Sequence, residues 1–177
     1  DILMQKISRE YSSQLRDVKF EENLLNQFYE ITQRLNTISD LDVLIEQTLS
    51  GLIDISEADG GMLCLHRSET VPDSWEYKIF HNFSTENKYY DIFMNLCNMA
   101  YNTNTIKDFK QPHFAPSYNH IIVLPLFIRK NVLGTVLLFA QSGSHYFSER
   151  IINLLSALTN QAIVTIENIR SASLEKT

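Results

Sequence analysis

The sequence predicts an α+β fold: a central antiparallel sheet of five to six strands flanked by helices, with a long helix at the N-terminus. Three observations carry that expectation. Residues 121–128 and 132–140 are two apolar runs, each about one strand long, separated by Arg129, Lys130 and Asn131, the pattern of a tight hairpin. Residues 1–38 contain neither Gly nor Pro and are rich in Glu, Gln, Lys, Arg and Leu, the composition of a long helix. Ser148 stands where an N-cap belongs, with Phe147 before it and Ile152 four residues into the next segment, the spacing of a hydrophobic staple opening a second long helix.

The N-terminal helix carries two apolar seams. One runs Met4, Ile7, Tyr11, Gln14, Val18, Glu21, Leu25, Phe28; the other, in a different register, runs Leu24, Phe28, Ile31, Leu35, Ile38. The step between them at Phe28 is a phase shift of the kind that alters coiled-coil winding, and the polar Gln14 and Glu21 fix register at a cost in stability. A helix this polar has little reason to persist alone, so a parallel dimer seam is expected, with packing on its own domain as the alternative.

Ser39 with Asp42 three residues on resembles a capping box, so a second helix starts near Leu41, and Leu41, Leu44, Ile45, Leu49, Leu52 and Ile53 give it one apolar face. Ala58-Asp59-Gly60-Gly61 ends it. Residues 62–66 and 75–83 follow as strands joined by a polar loop around Pro72 and Asp73; in the second, Trp75, Tyr77 and Ile79 alternate with Glu76, Lys78 and Phe80. Ser84 can cap a third helix over residues 85–101, with Tyr89, Phe93, Leu96, Cys97 and Ala100 on one side. Residues 102–120 are polar, hold two of the four prolines and have no period, so a long loop is expected with one more strand inside 103–110. In the hairpin, Asn131 suits a turn position with positive φ. Pro125 is tolerable where its missing N–H faces no partner. The last helix carries Ile151, Leu155, Leu158, Ala162, Ile166 and Ile169 on a stripe broader than one sheet needs, so part of it is expected to face a second subunit.

Leu124-Pro125-Leu126, Val132-Leu133-Gly134-Thr135-Val136, Tyr146-Phe147-Ser148, Gln161-Ala162-Ile163 and Ile166-Glu167-Asn168, in that order, resemble the C-terminal half of a GAF domain of a bacterial signal-transduction protein. The similarity extends more loosely back to about Leu41. The resemblance implies a GAF/PAS-like sheet and three segments: an N-terminal signalling or coiled-coil helix (1–38), a GAF-like sensory domain (39–172), and a tail or start of a linker to an output domain (173–177). It also implies a ligand pocket beneath the middle helix and the loop 102–120, with Tyr89, Phe93, Cys97, Phe109, His113 and His120 as its lining. A homodimer through the N- and C-terminal helices would use Phe28, Ile31, Leu35, Ile38, Leu158, Ala162 and Ile169.

Other functions find little support. Fifteen basic against twenty-one acidic residues give a net charge of −6, which disfavours nucleic acid and anionic lipid. Cys64 and Cys97 are too far apart for a CxxC motif, which suits buried thiols in a reducing cytoplasm. Apolar stretches fall short of membrane-spanning length, and a chain beginning at Asp1 is expected to be a segment of a longer protein. No catalytic or metal-binding constellation stands out, so the expectation is a non-catalytic module with an unknown small-molecule ligand and no assigned cofactor. Some GAF sensors take an axial haem ligand from the region of His113 and His120. A Cys-His pair for bilin attachment is absent. Cyclic-nucleotide GAF domains carry Asn-Lys, Phe, Asp-Glu; here Phe147 matches, but Ala140-Gln141 and Ile151-Ile152 do not. The runner-up is a ligand-free dimerisation scaffold with a filled core.

Overall fold

The computed structural model describes residues 1–66 and 75–175. Its elements are α1 (Ile2–Asn36), α2 (Leu41–Ser56), β1 (Gly60–His66), β2 (Trp75–His81), α3 (Tyr90–Thr103), β3 (Lys107–Lys110), β4 (Tyr118–Ile128), β5 (Asn131–Gln141) and α4 (Glu149–Glu175). The five strands form one sheet in the order β2-β1-β5-β4-β3, antiparallel throughout. This is the α+β architecture the sequence predicts. The expected turn around Pro72 and Asp73 lies outside the described residues.

β1, β4 and β5 are buried on both faces, which is why they read as continuous apolar runs. One face packs against α1, α2 and α4 through Leu63, Leu65, Ile122, Leu124, Leu126, Val136 and Leu138. The other, bearing Met62, Cys64, Ile121, Val123, Leu137 and Phe139, is covered by α3 and the segment before β4. β5 approaches β1 so closely at Gly134 that a Cβ there would lie on the Cys64 carbonyl oxygen, so the pairing requires glycine. β3 ends opposite Val123, leaving one edge of β4 open where Pro125 lacks its N–H.

Several local expectations are corrected. The hairpin turn is two residues, Arg129 and Lys130, both with positive φ (51° and 74°), and Asn131 instead opens β5 opposite Ile128. The cap of α2 is Asp40, whose carboxylate accepts from the N–H groups of Asp42 (2.9 Å) and Val43 (3.3 Å). α3 begins at Tyr90 because residues 84–89 are held in turns, with Asn87 N–H on the Ser84 carbonyl and the Asn87 side chain accepting from Tyr89 N–H. At the other end of the chain the expected cap holds: Ser148 Oγ accepts from Ile151 N–H at 3.2 Å, and Phe147 is buried ahead of it.

α1 divides into two halves. Residues 1–20 are exposed along their whole length, whereas Leu24, Ile31 and Leu35 enter the core beside α2 and α4. α4 runs alongside α1 in the same direction, since Arg150 Nε donates to Glu21 at 2.7 Å and Gln161 reaches Asn36 at 3.4 Å further up both helices. The expected dimer residues Leu35, Leu158 and Ala162 are fully buried within their own chain and Ile31 is nearly so; Phe28, Ile38 and Ile169 pack partly buried against the same core. The second seam is therefore occupied internally. The first is not: Met4, Ile7, Tyr11, Val18 and Leu25 are all exposed.

Candidate functional site

α3 lays its apolar side on the sheet because Phe93, Leu96, Cys97 and Ala100 recur at helical spacing. Beneath it the rings interlock. Phe93 stacks on Phe83 with centroids 5.0 Å apart and meets Tyr118 at 5.1 Å; Tyr118 meets Phe139 edge-on at 5.0 Å. Tyr89 closes one end, its ring edge-on to Tyr118 at 5.3 Å and its hydroxyl 3.3 Å from Ser117 Oγ, so the start of α3 is tied to the segment before β4. Burial raises the pKa of the Tyr118 phenol.

Cys97 meets Cys64 under the middle of α3, and both thiols are free and fully buried. Their interaction holds the Cys64 thiol protonated, with burial acting in the same direction, while the same contact draws Cys97 down against its own burial. Thr135 stands beside Cys64 across the β1–β5 pairing, and its Oγ1 is buried without a well-aligned hydrogen bond.

Of the six expected lining residues, the structure gathers Tyr89, Phe93, Cys97 and Phe109 on this face. His113 is exposed in the turn before β4. His120 lies on the opposite face, against Phe147. A bulge at Asn119 causes the separation: Tyr118 pairs with Gln141 but His120 pairs with Ala140, so one residue is skipped and the two rings point to different sides of the sheet. A similar register shift at His66 puts Trp75 with Tyr101 on the α3 face, whereas Tyr77 and Ile79 face the other helices.

On that opposite face, residues 141–147 form a polar junction ahead of α4. His120 is fully buried; its Nε2 lies 2.6 Å from Asp108 Oδ1, and its Nδ1 accepts from Phe147 N–H at 2.9 Å. His145 Nε2 donates to the Ser56 carbonyl at the end of α2 (3.0 Å). Gln111 Nε2 bonds Tyr146 Oη at 2.6 Å, Asn119 Nδ2 reaches the carbonyls of Ser144 and His145, and Ser142 N–H donates to the Ser117 carbonyl. As a unit the junction is invisible in the sequence, because its partners come from four separate stretches and most are ordinary loop residues. His120 stands out in the sequence for a different role, as lining of the pocket beneath α3, and Tyr146, Phe147 and Ser148 only as a motif, staple and cap.

Two grooves are lined by other parts of the molecule. One, about 300 Å³, lies where α1 leaves the domain, between Phe20, Leu24 and Gln27 and the junction residues His145, Tyr146 and Phe147. The other, about 1050 Å³, lies at the far end of α4 among Ile38, Asp40, Asp42, Tyr77, Ile169 and Arg170. There Arg170 is engaged by Glu76 (2.7 Å), Glu167 (3.3 Å) and the His66 carbonyl (3.0 Å). Partial burial, with the Asp42 carboxylate beside it, pushes the Tyr77 phenol up to about 12.

Solved structures share this arrangement of sheet and helices. The GAF domain of a phosphoenolpyruvate-protein phosphotransferase from Coxiella burnetii superposes with a TM-score of 0.64 at 14% identity, covering 86% of this chain and 98% of that one. The fold is that of a GAF domain. Another GAF domain, from a Pseudomonas syringae pv. tomato protein named as a sensor histidine kinase, gives 0.65 at 14% identity over 92% of this chain and 98% of its own. Free methionine-R-sulfoxide reductase from Neisseria meningitidis, solved with its substrate, gives 0.61 at 15% identity over 84% and 91%. No family model matches the sequence, and no curated protein matches it. The GAF fold therefore rests on three-dimensional likeness, and similar scaffolds serve both regulatory domains and an enzyme. Among the described residues no group of three or more His, Cys, Asp or Glu side chains is placed to hold a metal ion, and no helix is long and apolar enough to cross a membrane.

Proposed function

We propose that this chain is a non-catalytic sensory or regulatory GAF module of a cytoplasmic signalling protein, which forms a homodimer through α1 and passes a ligand-dependent signal along its terminal helices. The observation that carries this reading is the free seam on α1. Five apolar side chains at heptad spacing stand exposed on a helix whose second half is locked beside α4. A second copy in parallel register would cover them, with Gln14 and Glu21 fixing the register. The named role of the Pseudomonas syringae neighbour is in keeping with it. The ligand is a small molecule held beneath α3, where Tyr89, Tyr118 and Ser117 offer hydroxyls at the rim of an aromatic floor. A ligand shifts the helices only by its differential affinity for two arrangements of that face.

Sedimentation of the full chain tests the dimer: Ile7→Asp with Tyr11→Asp should give folded monomers, whose melting temperature no longer depends on concentration, and persistence of dimers would overturn the seam. Thermal shift and calorimetry against a metabolite panel test the ligand, with Phe93→Ala expected to abolish any binding found. A second reading is favoured by the packing itself, since Phe93 and Cys97 are wholly buried and Phe139 nearly so. It is a ligand-free dimerisation scaffold, and it predicts seam-dependent dimers with no binder in the panel.

A further inference from the structure

We propose that His120 is an acid-operated latch on the start of α4: on taking up a proton it keeps Asp108 and releases Phe147. The inference rests on α4 being the output helix only for its biological meaning; the latch itself is a property of the single chain.

A neutral imidazole has one donor nitrogen and one acceptor nitrogen. The backbone N–H of Phe147 can only donate, so Nδ1 of His120 is bare and Nε2 carries the hydrogen toward Asp108. An imidazolium has two donors and no acceptor. A proton on Nδ1 therefore meets the Phe147 N–H head-on, and that bond is lost. The tie to Asp108 strengthens at the same time, because a carboxylate attracts the cation. Lys110 stands directly across from His120 in the β3–β4 pairing; its charge opposes the proton, but it is exposed and screened by water, whereas Asp108 lies 2.6 Å from the ring nitrogen. The other titratable groups near the ring are the Tyr146 phenol at 5.8 Å, held by Gln111, and His145, which lies across the Phe147 ring at 5.5 Å.

Releasing Phe147 matters because it is the staple residue ahead of Ser148. Its N–H is bonded in a buried setting, and a buried N–H left without an acceptor is costly, so the residue must move toward water. His145, the other histidine of the junction, lacks this property. Its Nε2 already donates to the Ser56 carbonyl, and the Ser144 hydroxyl 3.1 Å from Nδ1 can turn from donor to acceptor, so a proton there breaks nothing.

The test is amide hydrogen exchange of the full, ligand-free chain between pH 8 and pH 5, the span in which imidazole ordinarily titrates, corrected for the intrinsic pH dependence. Protection at Phe147 should fall at least tenfold toward pH 5 while Leu137 in the sheet core stays protected. His145→Gln should keep the transition, Asp108→Asn should move it to lower pH, and His120→Gln should make Phe147 protection independent of pH. Constant protection in the wild type, the same transition in His120→Gln, or parallel loss at Leu137 would each overturn the latch. Should His120→Gln fail to fold, the wild type and Asp108→Asn decide the matter by the direction of the shift.

Discussion

The two faces of the sheet are built from different materials. The face under α1, α2 and α4 is aliphatic and spread over three helices, whereas the face under α3 is aromatic, contains both thiols, and has a single helix over it. Leucine and isoleucine packed from three directions give stability without polar obligations. Tyrosines at a rim bring hydroxyls that can be exchanged for those of a ligand or water. The difference teaches where this fold can change shape: the aromatic face, with one cover and a few polar ties, is the softer of the two.

The contrast can be broken most directly by paired truncations. Leu158→Ala, in the three-helix face, is expected to cost about 2–5 kcal/mol, while Tyr89→Ala at the half-buried rim should cost about 1 kcal/mol in denaturant unfolding. Equal costs would mean that the faces are equally rigid. Alkaline titration sharpens the picture on the helical side. The Tyr77 phenol, raised from its ordinary 10 to about 12, holds its proton more tightly folded than unfolded. Its contribution is whole below pH 10 and is lost as the pH climbs toward 12, so Tyr77→Phe should lose less stability between pH 9 and pH 11.5 than the wild type. The smallest effect lies outside both faces. Lys130 at φ 74° occupies a turn position that suits glycine, and Lys130→Gly should stabilise the hairpin by about 0.5–1 kcal/mol, read as a higher unfolding midpoint.

Local signals made much of the fold legible. The apolar runs of β4 and β5, the Ser148 cap and the glycine-free helix each advertise themselves within a dozen residues, and the four-residue β3 falls inside 103–110 as expected. Facing was harder. His120 and Tyr118 share the parity of a regular strand, yet the bulge at Asn119 sends them to opposite sides, and nothing in the residue types announces a bulge. The same holds for Trp75 beside Tyr77. The seam of α1 misleads for another reason: Leu24, Ile31 and Leu35 have the spacing of a dimer contact, and helix spacing cannot say whether the partner is another chain or the chain's own sheet.

The exposed first half of α1 turns small movements into large ones. At 1.5 Å per residue its free part is a lever roughly 30 Å long pivoting near Glu21, so a tilt of about 5° there sweeps the tip by roughly 3 Å. Adjustments too slight to disturb any strand would be magnified at the end of that arm to about half the pitch of a helical turn.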